Sequence, residues 1–211
     1  FLMESLPEGK PPRTSRFAAT CRCIVGNRDL RAVAAAQGVL QLFFHLAPFY
    51  VPLYLHTVLG MPWSQLGWIF AVAVIPFVLI EYPAGWVADR YLGDRKLLFI
   101  GFLLMGLSFS AFAFVTAATP LFVIVIILLL TRIGAALTEA MTEGHFFRRV
   151  SERDASTVSV FRMMRPAGAF MAPLIGSLIL FVSDYNVLFF STGIAIALLG
   201  VVATRTMQEI I

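Results

Sequence analysis

Charged residues are scarce in this 211-residue chain, where Asp, Glu, Lys and Arg together make up 13% of the residues against 59% hydrophobic. So little charge excludes an ordinary soluble domain. Cysteine is scarcer still, since Cys21 and Cys23 are the only two. Two thiols are too few for a structural zinc site, and we expect both to be free. The alternation of polar and apolar residues that marks membrane barrel strands is also missing.

Long apolar runs dominate the rest of the chain and recur about every 30 residues. Each run is close to the ~20 residues that a membrane-spanning helix needs. We therefore predict an all-α membrane protein with six transmembrane helices between residues 32 and 205, after a polar leader (1–31) and before a short tail (206–211). The six predicted helices cover roughly residues 34–56, 65–87, 97–117, 121–143, 157–182 and 186–204.

Lys and Arg are distributed unevenly between the connections, and this asymmetry predicts the orientation. The leader, the second-to-third and fourth-to-fifth connections and the tail are basic, whereas connections 57–64, 118–120 and 183–185 contain no Lys or Arg. Basic loops stay on the cytoplasmic side, so we expect both termini to be cytoplasmic in a plasma membrane or cell inner membrane. Because this topology accounts for the net charge of +4, we predict no nucleic-acid partner. The leader has no apolar core of a signal peptide.

The connection between the second and third predicted helices, GWVADRYLGDRK, concentrates charge and glycine. Its pattern comes from Gly85, Asp89, Arg90, Gly93, Arg95 and Lys96. It resembles the signature loop of the major facilitator superfamily, which reads G-x-x-x-D-R-x-G-R-R/K. The second glycine follows Asp89 by four residues instead of three, so the turn is expected to hold one extra residue.

The resemblance implies a fold, a function and a partner. The six helices would form one half (a 3+3 inverted repeat) of a secondary active transporter that moves a small solute by alternating access. We predict proton coupling, from the carboxylates considered below, and no cofactor. In that family the aspartate meets the positive end of a helix in the other half, basic residues pair nearby, and the loop latches the cytoplasmic side. The polar leader is similar to the linker between the halves, which predicts a C-terminal half that packs against a missing N-terminal half.

Charges inside the membrane helices are the first candidates for transport chemistry, because each costs at least ~2.5–3.5 kcal/mol at a helix centre. Arg132 and Glu139 share a helical face on the fourth predicted helix, and Glu81 lies about 12 Å into the second. The carboxylates suit a proton carrier and Arg132 suits an anionic group or a switching salt bridge. A static ion-pair cluster is the alternative. For Glu143 with Arg162 and Arg165 we favour a structural ion-pair network.

The first predicted helix carries a polar face, where Gln37, Gln41 and His45 recur every four residues. Amides and an imidazole are costly in lipid, so this face should meet protein or a water-filled cavity. We include all three in the candidate substrate and proton site. A histidine whose hydrogen bonds are satisfied inside the bundle is the simpler alternative for His45.

Two other classes of function compete with transport. Glu139, Glu143 and His145 lie close together in sequence, as an intramembrane metalloenzyme requires. However, the chain contains no H-E-x-x-H motif, and we predict neither an enzyme nor a bound metal. A membrane scaffold subunit that transports nothing is the third possibility. Metal content and solute flux would separate the three.

Overall fold

The computed structural model describes residues 13–150 and 155–207, apart from the side chains of residues 13–19 and Glu81. These described ranges form α-helices, one π-helical turn (Ala88–Leu92) and one 3-10 turn (Phe112–Phe114). The α-helices are α1 Arg13–Gly26, α2 Arg28–Thr57, α3 Trp63–Val72, α4 Ile75–Val87, α5 Asp94–Ala111, α6 Leu121–Arg149, α7 Ala155–Arg162, α8 Met164–Val182 and α9 Tyr185–Thr206. Residues 1–12 of the predicted leader and 208–211 of the predicted tail lie outside the described residues.

Within the described ranges, six helical stretches are long and apolar enough to cross a membrane, as predicted. In chain order these spans are Arg28–Thr57, Trp63–Leu92, Asp94–Phe114, Leu121–Arg149, Ala155–Val182 and Tyr185–Thr206. The first and fourth spans extend beyond the apolar runs of the sequence into polar residues at one end. The chain is thus an all-helical, multi-pass membrane protein.

Two of the spans are interrupted near a proline. The second span breaks at Ala73 and Val74, and Pro76 follows in the first turn of α4. The fifth span breaks at Met163, shortly before Pro166. Proline has no backbone N–H to donate to the preceding turn but fits the first turn of a new helix. The break therefore divides the second span into α3 and α4, and the fifth span into α7 and α8.

The packing of the spans has an internal symmetry. The first span packs on the fifth and sixth, the fourth packs on the second and third, and the third packs on the sixth. If the first, second and third spans exchange places with the fourth, fifth and sixth, the contacts of the first span become those of the fourth. The contact between the third and sixth spans maps onto itself. This pattern matches the 3+3 repeat expected for one half of a transporter of the predicted family.

Glycines allow the closest approach between spans. A Cβ added at Gly106 on the third span would lie 2.7 Å from the backbone nitrogen of Ala197 on the sixth, and one at Gly134 would lie 2.5 Å from the nitrogen of Met105. Such contacts are possible only without a side chain, as is typical of membrane helix pairs. Beside them, buried Phe109 packs edge-on against Phe43 and Phe189.

The two ends of the bundle differ in charge. The first, third and fifth spans begin, and the second, fourth and sixth end, at what we call the charged end, which holds the basic connections. At the opposite end, residues 58–62, 115–120 and 183–184 contain no Lys or Arg.

Candidate functional site

The second span ends in the π-helical turn, and Gly93 alone separates it from the third span; we call this turn with Gly93 the loop between the two spans. The Gly93 amide donates to the carbonyl oxygen of Ala88, five residues back, at 3.0 Å. A π-helical turn holds one residue more than an α-helical turn, and this accounts for the extra residue between Asp89 and Gly93. Gly93 has a φ of 76°, in the left-handed region that favours glycine.

The basic residues of this loop do not pair with carboxylates in the described part of the chain. Arg90 lies over the ring of Trp86, 5.8 Å from its centre, in a cation–π arrangement. Arg95 donates from Nη2 to the backbone oxygen of Arg205 at 3.5 Å. Lys96 is exposed. The nearby pairing that the resemblance implies is made instead by an arginine of another span.

Arg148, in the last turn of α6, connects the loop to the fourth span. Its Nη1 donates to Asp89 at 2.7 Å and its Nη2 to Asp94 at 2.5 Å. Asp94 opens α5, where a carboxylate also interacts favourably with the helix N-terminus. Asp89 is 65% exposed and Arg148 41% exposed. One guanidinium therefore bridges two carboxylates at the surface of the charged end.

His145, one turn before Arg148, sits in a buried cluster with two aspartates. Its Nε2 lies 3.2 Å from Asp29 Oδ2 and its Nδ1 lies 3.2 Å from Asp94 Oδ2. The ring therefore lies between two carboxylates, with one carboxylate oxygen within hydrogen-bond distance of each ring nitrogen. Asp29 also accepts from Nε of Arg149 at 2.7 Å. The cluster joins the starts of the first and third spans to the end of the fourth.

A second set of charges lies between the fourth and fifth spans, further from the charged end than the buried cluster. Nη2 of Arg165 lies 3.4 Å from Oε1 of Glu139 and 3.4 Å from Oε1 of Glu143. Arg162, the other predicted member of the network, makes no ion pair with a described residue. Arg165 therefore bridges a residue of the predicted proton site and one of the predicted structural network.

A cavity of about 340 Å³ opens beside these charges. Its lining residues are Gln37, Glu143, Phe147, Phe161, Arg162 and Arg165. Gln37 is 1% exposed, and its Oε1 has no hydrogen-bond partner in the described structure. An unpartnered buried amide is costly, and this one is enclosed by protein at the edge of the cavity.

The polar face of the first span is largely buried. Gln41 is 2% exposed, and its Nε2 has no partner among the described residues. Its backbone lies so close to Gly168 that a Cβ there would come within 2.9 Å. Nδ1 of His45 is 2.7 Å from the backbone oxygen of Gln41, which favours the satisfied-histidine alternative. Of the three predicted residues, Gln37 alone lines the cavity as far as the structure describes it.

Arg132 and Glu139 share a helical face but are not paired. Arg132 is partly buried and makes no hydrogen bond or ion pair with a described residue, whereas Glu139 reaches Arg165. The side chain of Glu81, the remaining candidate, lies outside the described residues.

Sequence reasoning missed the residues of the buried cluster. Asp29 was assigned to the leader, His145 was considered only for an enzyme, and Arg148 and Arg149 were read as topology signals. The available signal was the spacing of His145 and Arg149, four residues apart at the end of a span that begins far from any charge. Within the described residues, no group of three or more His, Cys, Asp or Glu side chains could hold a metal ion.

Comparisons with known proteins agree with the architecture. A family model described as Major Facilitator Superfamily matches residues 33–208. The chain is 28% identical over 117 residues to a di-/tripeptide transporter of Lactococcus lactis subsp. lactis (strain IL1403) and to one of Lactococcus lactis subsp. cremoris. The match covers 56% of this chain but 24% of the length of each relative.

Proposed function

The chain belongs to the Major Facilitator Superfamily, and from that premise we propose that it is one half of a secondary active transporter that moves a small solute by alternating access, coupled to protons. Membership of the family indicates membrane transport and argues against an intramembrane enzyme. The observation that carries the proposal is the two-layered set of ion pairs at the charged end, where an exposed pair lies directly beside a buried cluster.

The exposed layer has the properties of a gate. An exposed ion pair contributes only about 0–1 kcal/mol, so the contact between Asp89 and Arg148 can break in every transport cycle. Asp89 is 65% exposed, which leaves it able to reach a helix end in the other half of the transporter. The proposed gate loop thus consists of the π-helical turn Ala88–Leu92, which includes Asp89, and the residues directly before and after it.

The buried layer has the properties of a rigid joint. The side chains of His145, Asp29 and Asp94 are almost fully buried, and removal of one member of a buried charge cluster weakens the compensation of the others. We assign to this cluster the task of keeping the first, third and fourth spans together while the half rocks as one body.

Proton coupling is assigned to Glu139. It lies inside the fourth span, its side chain is 24% exposed, and its pair with Arg165 spans 3.4 Å. That distance is longer than the ~2.7–2.9 Å of a strong charge-assisted hydrogen bond, so a proton can compete with Arg165 for the carboxylate. Arg132 and Glu81 stay candidates on the same proposed pathway.

The substrate class proposed first is short peptides. The 340 Å³ cavity offers both signs of charge, from Arg162 and Glu143. A zwitterion can place its carboxylate on the arginine and its ammonium group on the carboxylate of Glu143. The two Lactococcus relatives are named di-/tripeptide transporters, which agrees with this choice.

The other six-helix half is the proposed partner. The second and fifth spans are the least buried of the six, with 22% and 17% of their apolar windows covered. They are also equivalent positions in the repeat, so one pseudo-symmetric partner can cover both. We further propose that this chain is the C-terminal half and that its charged end faces the cytoplasm, with both termini on that side of the plasma membrane.

Uptake by the full-length protein in proteoliposomes tests the proposal. With an inward proton gradient, labelled alanyl-alanine should accumulate above its equilibrium level, and a protonophore should abolish the accumulation. Uptake without any response to the gradient would remove proton coupling. Transport of amino acids or sugars but not peptides would remove the substrate class. If no solute of such a panel entered faster than into protein-free liposomes, transport itself would be wrong.

A further inference from the structure

A basic cavity of about 570 Å³ lies on the outside of the bundle, between the third and sixth spans at the charged end. Its lining residues are Leu92, Arg95, Lys96, Phe99, Ile100, Thr204 and Arg205. It is separate from the charge clusters described above, because none of those carboxylates lines it.

The cavity holds three cations without a compensating acid in its described lining. Arg95, Lys96 and Arg205 make no ion pair with any residue that the structure describes. Two of them, Arg95 and Lys96, also stand in the first turn of α5, where the helix N-terminus is itself positive. Cations that line one cavity repel each other, and an anion bound between them relieves the repulsion.

The walls of the cavity distinguish a lipid from a small anion. Leu92 is 37% exposed and Ile100 is 44% exposed, so an apolar wall lies directly beside the cations. A free phosphate gains nothing from such a wall, whereas an acyl chain does. The cavity also lies where the spans end, at the level at which headgroups meet the hydrocarbon core.

We propose that this cavity binds an anionic phospholipid, with the phosphate held by Arg95, Lys96 and Arg205 and the start of an acyl chain along Leu92 and Ile100. Basic pockets between membrane helices are recognised sites for anionic headgroups. The bound lipid would bridge the third and sixth spans, which pack on each other. The proposal does not depend on what the protein transports.

Native mass spectrometry of the full-length protein, titrated with phosphatidylglycerol or phosphatidylcholine of identical acyl chains, tests the site. Phosphatidylglycerol should bind more tightly. The triple variant Arg95→Gln, Lys96→Gln, Arg205→Gln should lose this preference, by about fivefold for each charge removed. Arg22→Gln is the matched control, because Arg22 is an exposed cation on α1 outside the cavity, and it should keep the preference.

Each alternative outcome has a defined meaning. Equal binding of the two lipids, or an unchanged preference in the triple variant, would overturn the site. Displacement of phosphatidylglycerol by millimolar inorganic phosphate would make it a site for free anions. If the triple variant failed to fold, Lys96→Gln, which changes one exposed side chain, should still weaken phosphatidylglycerol about fivefold, and normal binding by that variant would also refute the proposal.

Discussion

Nη1 of Arg148 lies 2.7 Å from the carboxylate of Asp89, so the last turn of the fourth span is tied to the loop between the second and third. The same guanidinium holds Asp94, which in turn contacts buried His145. A break of the outer contact therefore leaves the inner one intact. A gate requires an outer contact that breaks more easily than the buried contacts beneath it. Mutations in the exposed pair and in the buried cluster should therefore have separate effects.

Removal of the charge of Asp89 should impair transport without unfolding the protein. Asp89→Asn keeps the shape of the side chain but loses the ion pair with Arg148. Because both partners are substantially exposed, the stability of the protein should change by no more than about 1 kcal/mol. We expect a reduced rate of uptake in proteoliposomes together with a nearly unchanged thermal midpoint in detergent.

Asp184→Asn is the control for this prediction. Asp184 is an exposed aspartate at the opposite end of the bundle, and although it is the N-cap residue of α9, its side chain makes no capping hydrogen bond, so its loss should change neither measurement. Normal uptake by Asp89→Asn would show that the loop does not gate the transporter.

Replacement of His145 should act on stability instead. His145→Leu removes two contacts to Asp29 and Asp94, although each aspartate keeps an arginine. Hydrogen bonds to charged groups contribute about 1.5–3 kcal/mol, and we expect a loss in that range as a lower thermal midpoint. His56→Leu loses one contact to a backbone oxygen at the other end and should cost less. Equal losses in the two variants would contradict the rigid-joint role.

The close approach of the third and sixth spans should depend on Gly106. In Gly106→Ala the new Cβ would lie 2.7 Å from the backbone nitrogen of Ala197, so the helices must separate. Overpacking of this kind costs about 1–3 kcal/mol. Gly67→Ala, with no atom within 4 Å of the added Cβ, should have little effect. Indistinguishable thermal midpoints for the two variants would be incompatible with the helix contact described here.

The orientation of the charged end is open to direct measurement. In a background with Cys21→Ser and Cys23→Ser, we expect an impermeant thiol reagent to label Lys96→Cys in inside-out vesicles only. The same reagent should label Asp184→Cys, at the other end, in right-side-out vesicles only. The reverse labelling pattern would show that the charged end faces away from the cytoplasm, and it would refute the proposed topology.

The six spans and the family could be predicted because their signals are local. A run of apolar residues is a property of one segment, and the pattern from Gly85 to Lys96 lies within one loop. The break in the second span also had a local signal in Pro76, yet Pro48 and Pro52 lie inside unbroken α2. Proline weakens the helix in each case, and the packing of the neighbouring spans decides whether it breaks.

The pairing of charges could not be predicted in the same way. Helical spacing correctly placed Arg132 and Glu139 on one face, but it carries no information on which neighbouring span meets each residue. Glu139 turns to Arg165 of the fifth span. Asp29 and His145, which contact each other, are 116 residues apart in the chain, so only the folded bundle brings them together.

The last prediction separates proton coupling from structure at Glu139. Glu139→Gln keeps the size and much of the hydrogen bonding of the side chain but cannot take up a proton at neutral pH. If Glu139 carries the proton, accumulation driven by a proton gradient should fail in this variant. Exchange of labelled for unlabelled substrate should persist, because exchange requires no net proton movement.

A purely structural ion pair predicts a different result. Glu139→Gln would then weaken the contact with Arg165, lower the thermal midpoint and reduce both accumulation and exchange. The triple variant Glu139→Gln, Glu143→Gln, Arg165→Gln would restore both, since none of the three side chains that contact one another then carries a charge. Glu143→Gln is the comparison variant, because Glu143 contacts the same atom of Arg165 at the same 3.4 Å but is a proposed substrate contact, so its loss should weaken accumulation and exchange together. Full gradient-driven accumulation by Glu139→Gln, or a loss of accumulation with exchange preserved in Glu143→Gln, would exclude Glu139 as the specific proton carrier.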